Sequence, residues 1–350
     1  MVTQTQTSTV KDAWKEYREF WNEYPQELDR MGIKNYKQLK ARANEIIGFE
    51  DPSYDQVKEA LKLVVHPKDY DVIVNDIKMQ RRTRKKLTLT LLSKIKYATD
   101  SMGEYNTVKP DYAAEARPVI PEPFYGDPLT ANIVTVFINP GLNDGLLSKR
   151  HKSGDKKSLE ALSPDTVNNE ESRQEVNLSH LRFDGKRLTE NLLYPWESSD
   201  PNYESFRYYF KKLYSQKDNN VPTIVSRLLD RDLDKRVLFH ADFIPYQSKN
   251  AHSAGIKQIS RSNEEGLFLP SQKALMNLLS VLKEDRSLKR LIVFRNSKMA
   301  DQLSMWLGYK FSTGVVFFRS SNASNVSLTE DNITLDSAEL RYFFSPDVGE

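Results

Sequence analysis

Cysteine is absent from the 350-residue chain, which excludes disulfide bonds, thiol nucleophiles and iron–sulfur clusters held by cysteine. Long apolar runs are missing too, because no stretch reaches the roughly 18 to 20 apolar residues that a membrane-spanning helix needs. The segment Met1 to Val10 lacks the basic start and apolar run of a secretory signal peptide. Together these absences predict a cytoplasmic protein that does not contact a membrane.

Residues that commonly hold cofactors are scarce. The chain has five histidines, and in the sequence they form no tight group with Asp or Glu of the kind that binds a metal ion. No Gly-rich phosphate loop or dinucleotide fingerprint is present. The sequence therefore predicts neither a metal nor an organic cofactor. The net charge is only +3, so composition alone says little about partners.

Residues 1–100 have the pattern of a small helical domain. Trp14, Tyr17 and Trp21 recur at helical spacing and form an apolar stripe, which favours core packing. Further helices are predicted around Leu39–Ile46, from Tyr54 to Val65 and from Tyr70 to Ala98. The prolines of residues 101–120 predict a linker, which leaves residues 121–350 for a second domain.

A basic stretch lies in the last of these predicted helices. It carries no acidic residue, and its basic residues are Lys78, Arg81, Arg82, Arg84, Lys85, Lys86, Lys94 and Lys96. Such a stretch can bind the phosphates of a nucleic acid. A solvated helix face explains it equally well, because charge runs without a motif are weak evidence.

Apolar runs and helical patterns alternate in the rest of the chain. The runs lie at 133–138, 236–244, 290–294 and 314–318, with a helix predicted at 271–282. This alternation is typical of a parallel sheet with helices on both faces. The sequence thus predicts an α/β fold of three layers around a four-stranded parallel sheet, in which 133–138 is an inner strand between the second and third runs. Residues 149–187 are polar and poor in large apolar side chains, which predicts a flap or a disordered segment.

Polar residues follow these strands at their carboxyl ends. Asn139 and Gly141 follow the first strand, Asp242 lies at the end of the second and Arg319 follows the fourth. Because parallel strands end at the same edge of a sheet, where ligands bind, we expect one site there. His240 lies inside an apolar strand, which favours a hydrogen-bonded core histidine over a catalytic one.

Four segments resemble the uracil-DNA glycosylase superfamily, most closely its single-strand-selective monofunctional branch. They are Pro121-Glu122-Pro123 with Phe137-Ile138-Asn139-Pro140-Gly141, then His240 to Tyr246, then Leu291 to Phe294 with Ala300 to Leu303, and finally Phe318 to Asn322. The first resembles the family's apolar strand ending in Asn-Pro-Gly. The resemblance covers about residues 118–345, and the N-terminal helical part lies outside it.

The resemblance implies an enzyme that flips a base out of a nucleic acid, most often DNA, and hydrolyses its N-glycosidic bond. It implies catalytic roles for Asn139, which would place a water, and for Arg319, which would supply positive charge. The implied base-binding residues are Gly141, Asp242 and Tyr246. The residues expected to contact nucleic acid are Ser320, Ser321 and Asn322, together with Arg81, Arg82, Arg84 and Lys85 of the basic stretch.

Two positions depart from the family pattern. Asp242 stands where the family has an Asn, and Phe318 or Arg319 stands where it has a His. An Asn both donates and accepts, whereas an ionised Asp only accepts, so Asp242 suits a base edge rich in N–H groups unless it is protonated. The sequence therefore predicts a base-excising enzyme of altered specificity. Two alternatives stay open, a nucleic-acid-binding module without activity and a hydrolase of another N-glycoside such as a free nucleoside.

Overall fold

A computed structural model gives the fold. It describes residues 9–47, 52–75, 91, 116, 118–131, 133–137, 174–175, 177–183, 238–246, 269–285, 287–288, 290–294, 315–318 and 333–334. Among these residues no helix combines the length and the hydropathy that crossing a bilayer requires.

Within the described residues, five helices of at least nine residues have defined bounds. They are α1 (Val10–Arg30), α2 (Tyr36–Ile47), α3 (Tyr54–Lys62), α4 (Pro67–Asn75) and α5 (Pro270–Glu284). The first begins at a capping box, in which the Thr9 hydroxyl accepts the N–H of Asp12 at 3.2 Å. The predicted helices are present in this order, but α4 begins at Pro67 instead of Tyr70. Proline suits the first helical position because the N–H that it lacks has no partner there.

The predicted extension of α4 to Ala98 passes through the basic stretch. Of residues 76–98 the structure describes Leu91, which is helical and buried. The basic side chains that the sequence singled out, from Arg81 to Lys85, lie outside the described residues. Their contact with nucleic acid stays a prediction.

The strands form one mixed sheet. They are β1 (Phe124–Tyr125), β2 (Ile133–Phe137), β3 (Leu238–Asp242), β4 (Leu291–Phe294), β5 (Val315–Phe318) and β6 (Ile333–Thr334), in the spatial order β1-β3-β2-β4-β5-β6. The central four strands are parallel, and β2 lies between β3 and β4. The prediction of four parallel strands with the first run inside is confirmed. The sheet as a whole is mixed because the short edge strands β1 and β6 pair antiparallel.

Helix α1 packs against the sheet. The ring of Trp14 meets Phe124 edge-on at 5.0 Å between centroids and Phe239 at 5.8 Å. Leu278 and Leu279 of α5 belong to the same buried cluster as these rings. The N-terminal helices and the sheet therefore share one hydrophobic core in the described residues. The division of the chain at residues 100 and 120, and the three-layer arrangement, stay predictions.

Residues 174–183 correct one expectation. The sequence predicts a flap or disorder across 149–187, but residues 177–182 are helical and bury Leu178 and Leu181. The guanidinium of Arg182 pairs with the carboxylate of Asp29 at 2.7 Å, and the carboxylate of Glu175 accepts the N–H of Tyr36 at 2.6 Å. Two apolar residues three apart are too weak a pattern to reveal this helix inside a polar segment.

Candidate functional site

The carboxyl ends of β2 and β3 lie side by side. Phe137, the last residue of β2, is the register partner of Asp242, the last residue of β3. Beyond the ladder, the N–H of Phe243 donates to the carbonyl of Phe137 at 2.8 Å. On the other side, the N–H of Asp242 donates to the carbonyl of Pro123 at 3.0 Å. Backbone bonds therefore hold Asp242 in place from both neighbouring segments.

Side chains alternate between the two faces of the sheet. Phe239 and Ala241 of β3 belong to the buried cluster that includes α1, so they lie on the helix-covered face. His240 and Asp242 alternate with them and therefore lie on the opposite face. Thr135 of β2 lies directly across from His240 in the parallel register. This face carries the polar residues of the candidate site.

Thr135, His240 and Asp242 form a buried chain of hydrogen bonds. The Thr135 hydroxyl is 2.8 Å from Nδ1 of His240, and Nε2 of His240 is 3.2 Å from Oδ2 of Asp242. The three residues are 0 %, 4 % and 3 % exposed. Because buried polar groups need hydrogen-bond partners, this chain stabilises an imidazole and a carboxyl group inside the sheet. The expectation of a hydrogen-bonded core histidine at 240 agrees with this arrangement.

Two aromatic rings fix the imidazole of His240. Phe137 meets it edge-on with 4.8 Å between centroids, and Tyr125 lies nearly parallel to it at 6.3 Å. These contacts restrict rotation of the imidazole, so its two nitrogens stay aligned with Thr135 and Asp242. The side chain of Asp242 thus projects from a rigid part of the fold, which a binding site requires.

A second buried acid lies in the segment before β1. Oε1 of Glu122 accepts the amide N–H of Asn177 at 2.6 Å, and both side chains are buried. The backbone N–H of Glu122 donates to the carbonyl of Pro245, in the turn after β3, at 2.9 Å. Glu122 therefore joins the Pro-Glu-Pro segment to that turn. Asn177 lies in the polar segment 149–187, where no local pattern marks a buried amide.

Tyr246 forms hydrogen bonds with Asp69 and His66. Its hydroxyl donates to Oδ2 of Asp69 at 2.6 Å and accepts the N–H of His66 at 3.3 Å. Oδ1 of Asp69 accepts the N–H of Ser271, at the start of α5, at 2.9 Å. In these bonds Tyr246 joins the turn after β3 to α4 and α5. Its predicted base-binding role stays a prediction.

Burial shifts the pKa values of Asp69 and His66 in this group, and that of His180 near β1. It raises the pKa of Asp69 to about 6, although hydrogen bonds from Ser271 and Tyr246 favour the charged form. It lowers the pKa of His66 to about 4 against the hydrogen bond to the Phe20 carbonyl. His180, whose Nε2 lies 3.1 Å from the Phe124 carbonyl, also has its pKa lowered to about 4 by burial.

These shifts act on stability in opposite directions. The raised pKa of Asp69 means that its contribution is present below pH 3.8 and is lost as the pH rises through about 6. The lowered pKa values of His66 and His180 mean that their contributions are present above pH 6.5 and are lost as the pH falls through about 4. Between about pH 4 and pH 6 the carboxyl group therefore offsets part of the histidine effect.

Replacing Asp69 with Asn should remove the opposing carboxyl group, so that the pH dependence of stability caused by His66 and His180 is larger. We expect Asp69→Asn to be less stable than wild type at pH 7, because one buried hydrogen bond is lost at a cost of about 1–3 kcal/mol. Its free energy of unfolding should nevertheless rise more steeply from pH 4.5 to pH 6.5 than that of wild type. Chemical denaturation at several pH values measures this slope. Asp71→Asn, an exposed acid of the same helix, is the control, and equal slopes in all three proteins would contradict the assignment.

Most residues predicted for the site lie outside the described residues. These are Asn139, Gly141, Arg319, Ser320, Ser321 and Asn322, in addition to those of the basic stretch. Of the predicted site residues the structure describes Asp242 and Tyr246. Asp242 is hydrogen-bonded to His240, and Tyr246 is hydrogen-bonded to Asp69. Thr135 was missed because one threonine in an apolar strand carries no signal until the strand register is known.

Comparisons with known proteins found no match for this chain. The chain matches no protein-family model, no curated protein and no solved structure.

Proposed function

We propose that the chain is a base-excising N-glycosidase that acts on nucleic acid, with a water positioned by Asn139. The proposal includes the three-layer arrangement that the family resemblance implies, with the site at the carboxyl edge of the central strands. Asp242 would face the flipped base, and Arg319 would stabilise the departing base. Gly141 would let the backbone approach the base, while Ser320, Ser321 and Asn322 would contact phosphates.

The register of β2 and β3 is the observation that carries this proposal. Asn139 follows Phe137 by two residues, and two residues of chain span at most about 7 Å. Phe137 is itself the register partner of Asp242. Covalent geometry thus limits how far Asn139 can lie from the end of β3. The amide proposed to place a water follows β2, and the carboxyl group proposed to face the base ends the neighbouring strand β3.

The position of β5 supports the role of Arg319. This residue directly follows Phe318, the last residue of β5, and β4 separates β5 from β2 in the sheet. Neighbouring strands are about 4.8 Å apart, so the ends of β5 and β2 are roughly 10 Å apart. A single nucleotide could therefore contact both strand ends.

The chemistry of base release suits these groups. The sugar becomes oxocarbenium-like in the transition state, so the protein mainly has to stabilise charge and place a water. An amide oxygen orients a water without titrating, and a guanidinium stays positive at every working pH. Asn139 and Arg319 would supply these two functions, and none of the proposed steps requires a cofactor.

An abasic-site assay tests this function. Oligonucleotides that each carry one modified base, in single and double strands, are incubated with the full chain and then cleaved with alkali. A cut at the modified position supports base excision by the chain. Binding without any cut over the whole panel would support the inactive binding module instead. Base release from free nucleosides alone would support a hydrolase of another N-glycoside.

The basic stretch gives a separate prediction on binding. Replacing Arg81, Arg82 and Arg84 with Gln should weaken binding to all sequences alike, because contacts to phosphates carry no sequence information. Each phosphate contact contributes about −0.7 to the slope of log affinity against log salt on single strands and about −0.9 on duplex. We therefore expect the slope to flatten by roughly two to three.

The control for this triple variant removes the same charge elsewhere. Lys11, Lys34 and Lys37 are exposed lysines of the described N-terminal part, and their replacement with Gln should leave the slope near the wild-type value. If both triple variants kept the wild-type affinity and slope, the basic stretch would serve solubility and not binding.

A further inference from the structure

The Thr135 hydroxyl sets the direction of the buried hydrogen-bond chain. Its oxygen lies in a buried strand and is 2.8 Å from Nδ1 of His240. Among the residues that the structure describes, this is the hydrogen bond that the hydroxyl group forms. A buried hydroxyl proton needs an acceptor, and Nδ1 provides one only when it carries no proton. Thr135 therefore donates to His240.

The tautomer of His240 follows from this donation. With Nδ1 accepting, the ring proton of a neutral imidazole resides on Nε2. Nε2 lies 3.2 Å from Oδ2 of Asp242, so it donates to that oxygen. In the opposite direction, with a protonated Asp242 donating to His240, Nδ1–H would donate to the Thr135 oxygen, and the buried hydroxyl proton would then need another acceptor. The direction of the hydrogen bonds, from Thr135 to His240 and from His240 to Asp242, thus makes Asp242 an acceptor.

We propose that Thr135 and His240 are positioning residues that hold Asp242 as an ionised hydrogen-bond acceptor, so that the base admitted to the site presents an N–H donor to it. The inference rests on the proposed function and adds a substrate class to it. An exocyclic amino group meets this requirement. An exocyclic oxo group at the same place would set two acceptors against each other, which costs binding in a buried site.

The proposal predicts how matched substrates differ. The test uses two single-stranded oligonucleotides that differ in one base, 5-hydroxycytosine in the first and 5-hydroxyuracil in the second. The first base has an exocyclic amino group next to an unprotonated N3, and the second has an exocyclic oxo group next to an N3–H, so an Asp242 that accepts from the exocyclic position favours the first. Wild type should prefer the amino-bearing base by tenfold or more, in single-turnover excision and in binding. Substitution of His240 by Leu removes the N–H that holds Asp242 as an acceptor, so the carboxyl group is free to present either an acceptor or, once protonated, a donor to an oxo group. The preference should fall at least tenfold in His240→Leu.

A conservative variant separates positioning from folding. His240→Gln keeps an N–H near the position of Nε2 and an amide oxygen that Thr135 can reach, so it should restore most of the preference. Thr135→Val removes the hydroxyl at nearly constant volume and should lower the preference as His240→Leu does. An equal loss on both substrates in His240→Leu, with no rescue by Gln, would assign His240 to packing and overturn the proposal.

Nuclear magnetic resonance tests the same chain without any reaction. Histidine-selective ¹⁵N labelling of the full chain gives five imidazoles, and the signal that vanishes in His240→Gln is that of His240. A proton on Nε2 with Nδ1 as acceptor supports the proposal, and a proton on Nδ1 alone overturns it. If wild type releases no base, the proposed function fails. The inference is then decided by binding, where equal affinity for the two oligonucleotides overturns it and a tenfold preference for the amino-bearing one supports it.

Discussion

Asn139→Ala should lower the rate of base release by about tenfold to a thousandfold, as expected for the loss of one positioned catalytic group. Alanine keeps the backbone but removes the amide that would orient the water. Folding should not change, since the substituted side chain follows the end of β2 and the five buried residues of that strand stay in place. Single-turnover excision measures the rate, and a thermal unfolding curve checks the fold.

The control for this variant is Asn132→Ala. Asn132 directly precedes β2, at the strand end opposite to Asn139. Its replacement removes the same amide from the other edge of the sheet and should leave the rate within about twofold of wild type. A normal rate in Asn139→Ala would reject the water-positioning role, whatever the rate of the control.

Trp14→Ala should destabilise the whole chain. The indole of Trp14 is buried and contacts rings from β1 and β3. Loss of a buried aromatic of this size costs about 3–5 kcal/mol, through lost burial and the cavity left behind. Because this side chain joins α1 to the sheet, we expect the helices and the sheet to unfold in one transition with a lowered midpoint. Urea denaturation, followed by circular dichroism and by tryptophan fluorescence, measures it.

Leu129→Ala is the matched control. Leu129 is 37 % exposed, so the same kind of truncation at the surface should change the free energy of unfolding by about 0.5 kcal/mol or less. Two separate transitions in wild type, with Trp14→Ala shifting only one of them, would show that α1 and the sheet are independent. Such a result would support the domain division predicted at residue 100.

The central strands were predictable because their residues are apolar almost without interruption. The runs at 133–138 and 290–294 leave no solvated face, and only inner strands of a covered sheet meet that condition. The edge strands β1 and β6 have two residues each, which is too short for any periodicity. Their antiparallel pairing depends on where the chain passes in three dimensions.

The partner of the aromatic stripe on α1 was not predictable. The spacing of Trp14, Tyr17 and Trp21 identifies the buried face of the helix but not the surface that it covers. In the structure that surface includes Phe124 and Phe239. Phe124 belongs to a proline-bounded segment that sequence analysis treated only as a lead into the first strand.

The strand end that carries Asp242 was predictable, whereas the hydrogen bonds of Asp242 were not, and a functional site at this edge stays a prediction. Asp242 was singled out because it ends an apolar strand, and the structure places it at the edge where β2 also ends. The hydrogen bond between Thr135 and His240 depends on a register between strands about a hundred residues apart in the chain. No local sequence pattern specifies that register. The hydrogen bonds that join Thr135, His240 and Asp242 could therefore not be predicted from the sequence.

Base excision is measured most directly as the amount of free base that the wild-type chain releases from a single-stranded oligonucleotide. The released base is identified by mass spectrometry, and abasic sites are counted in the same sample. We predict one free base and one abasic site for each modified residue consumed, in a strand that stays intact until alkali is added. An oligonucleotide that keeps its base, over the whole panel of modifications and at excess protein, would contradict the account.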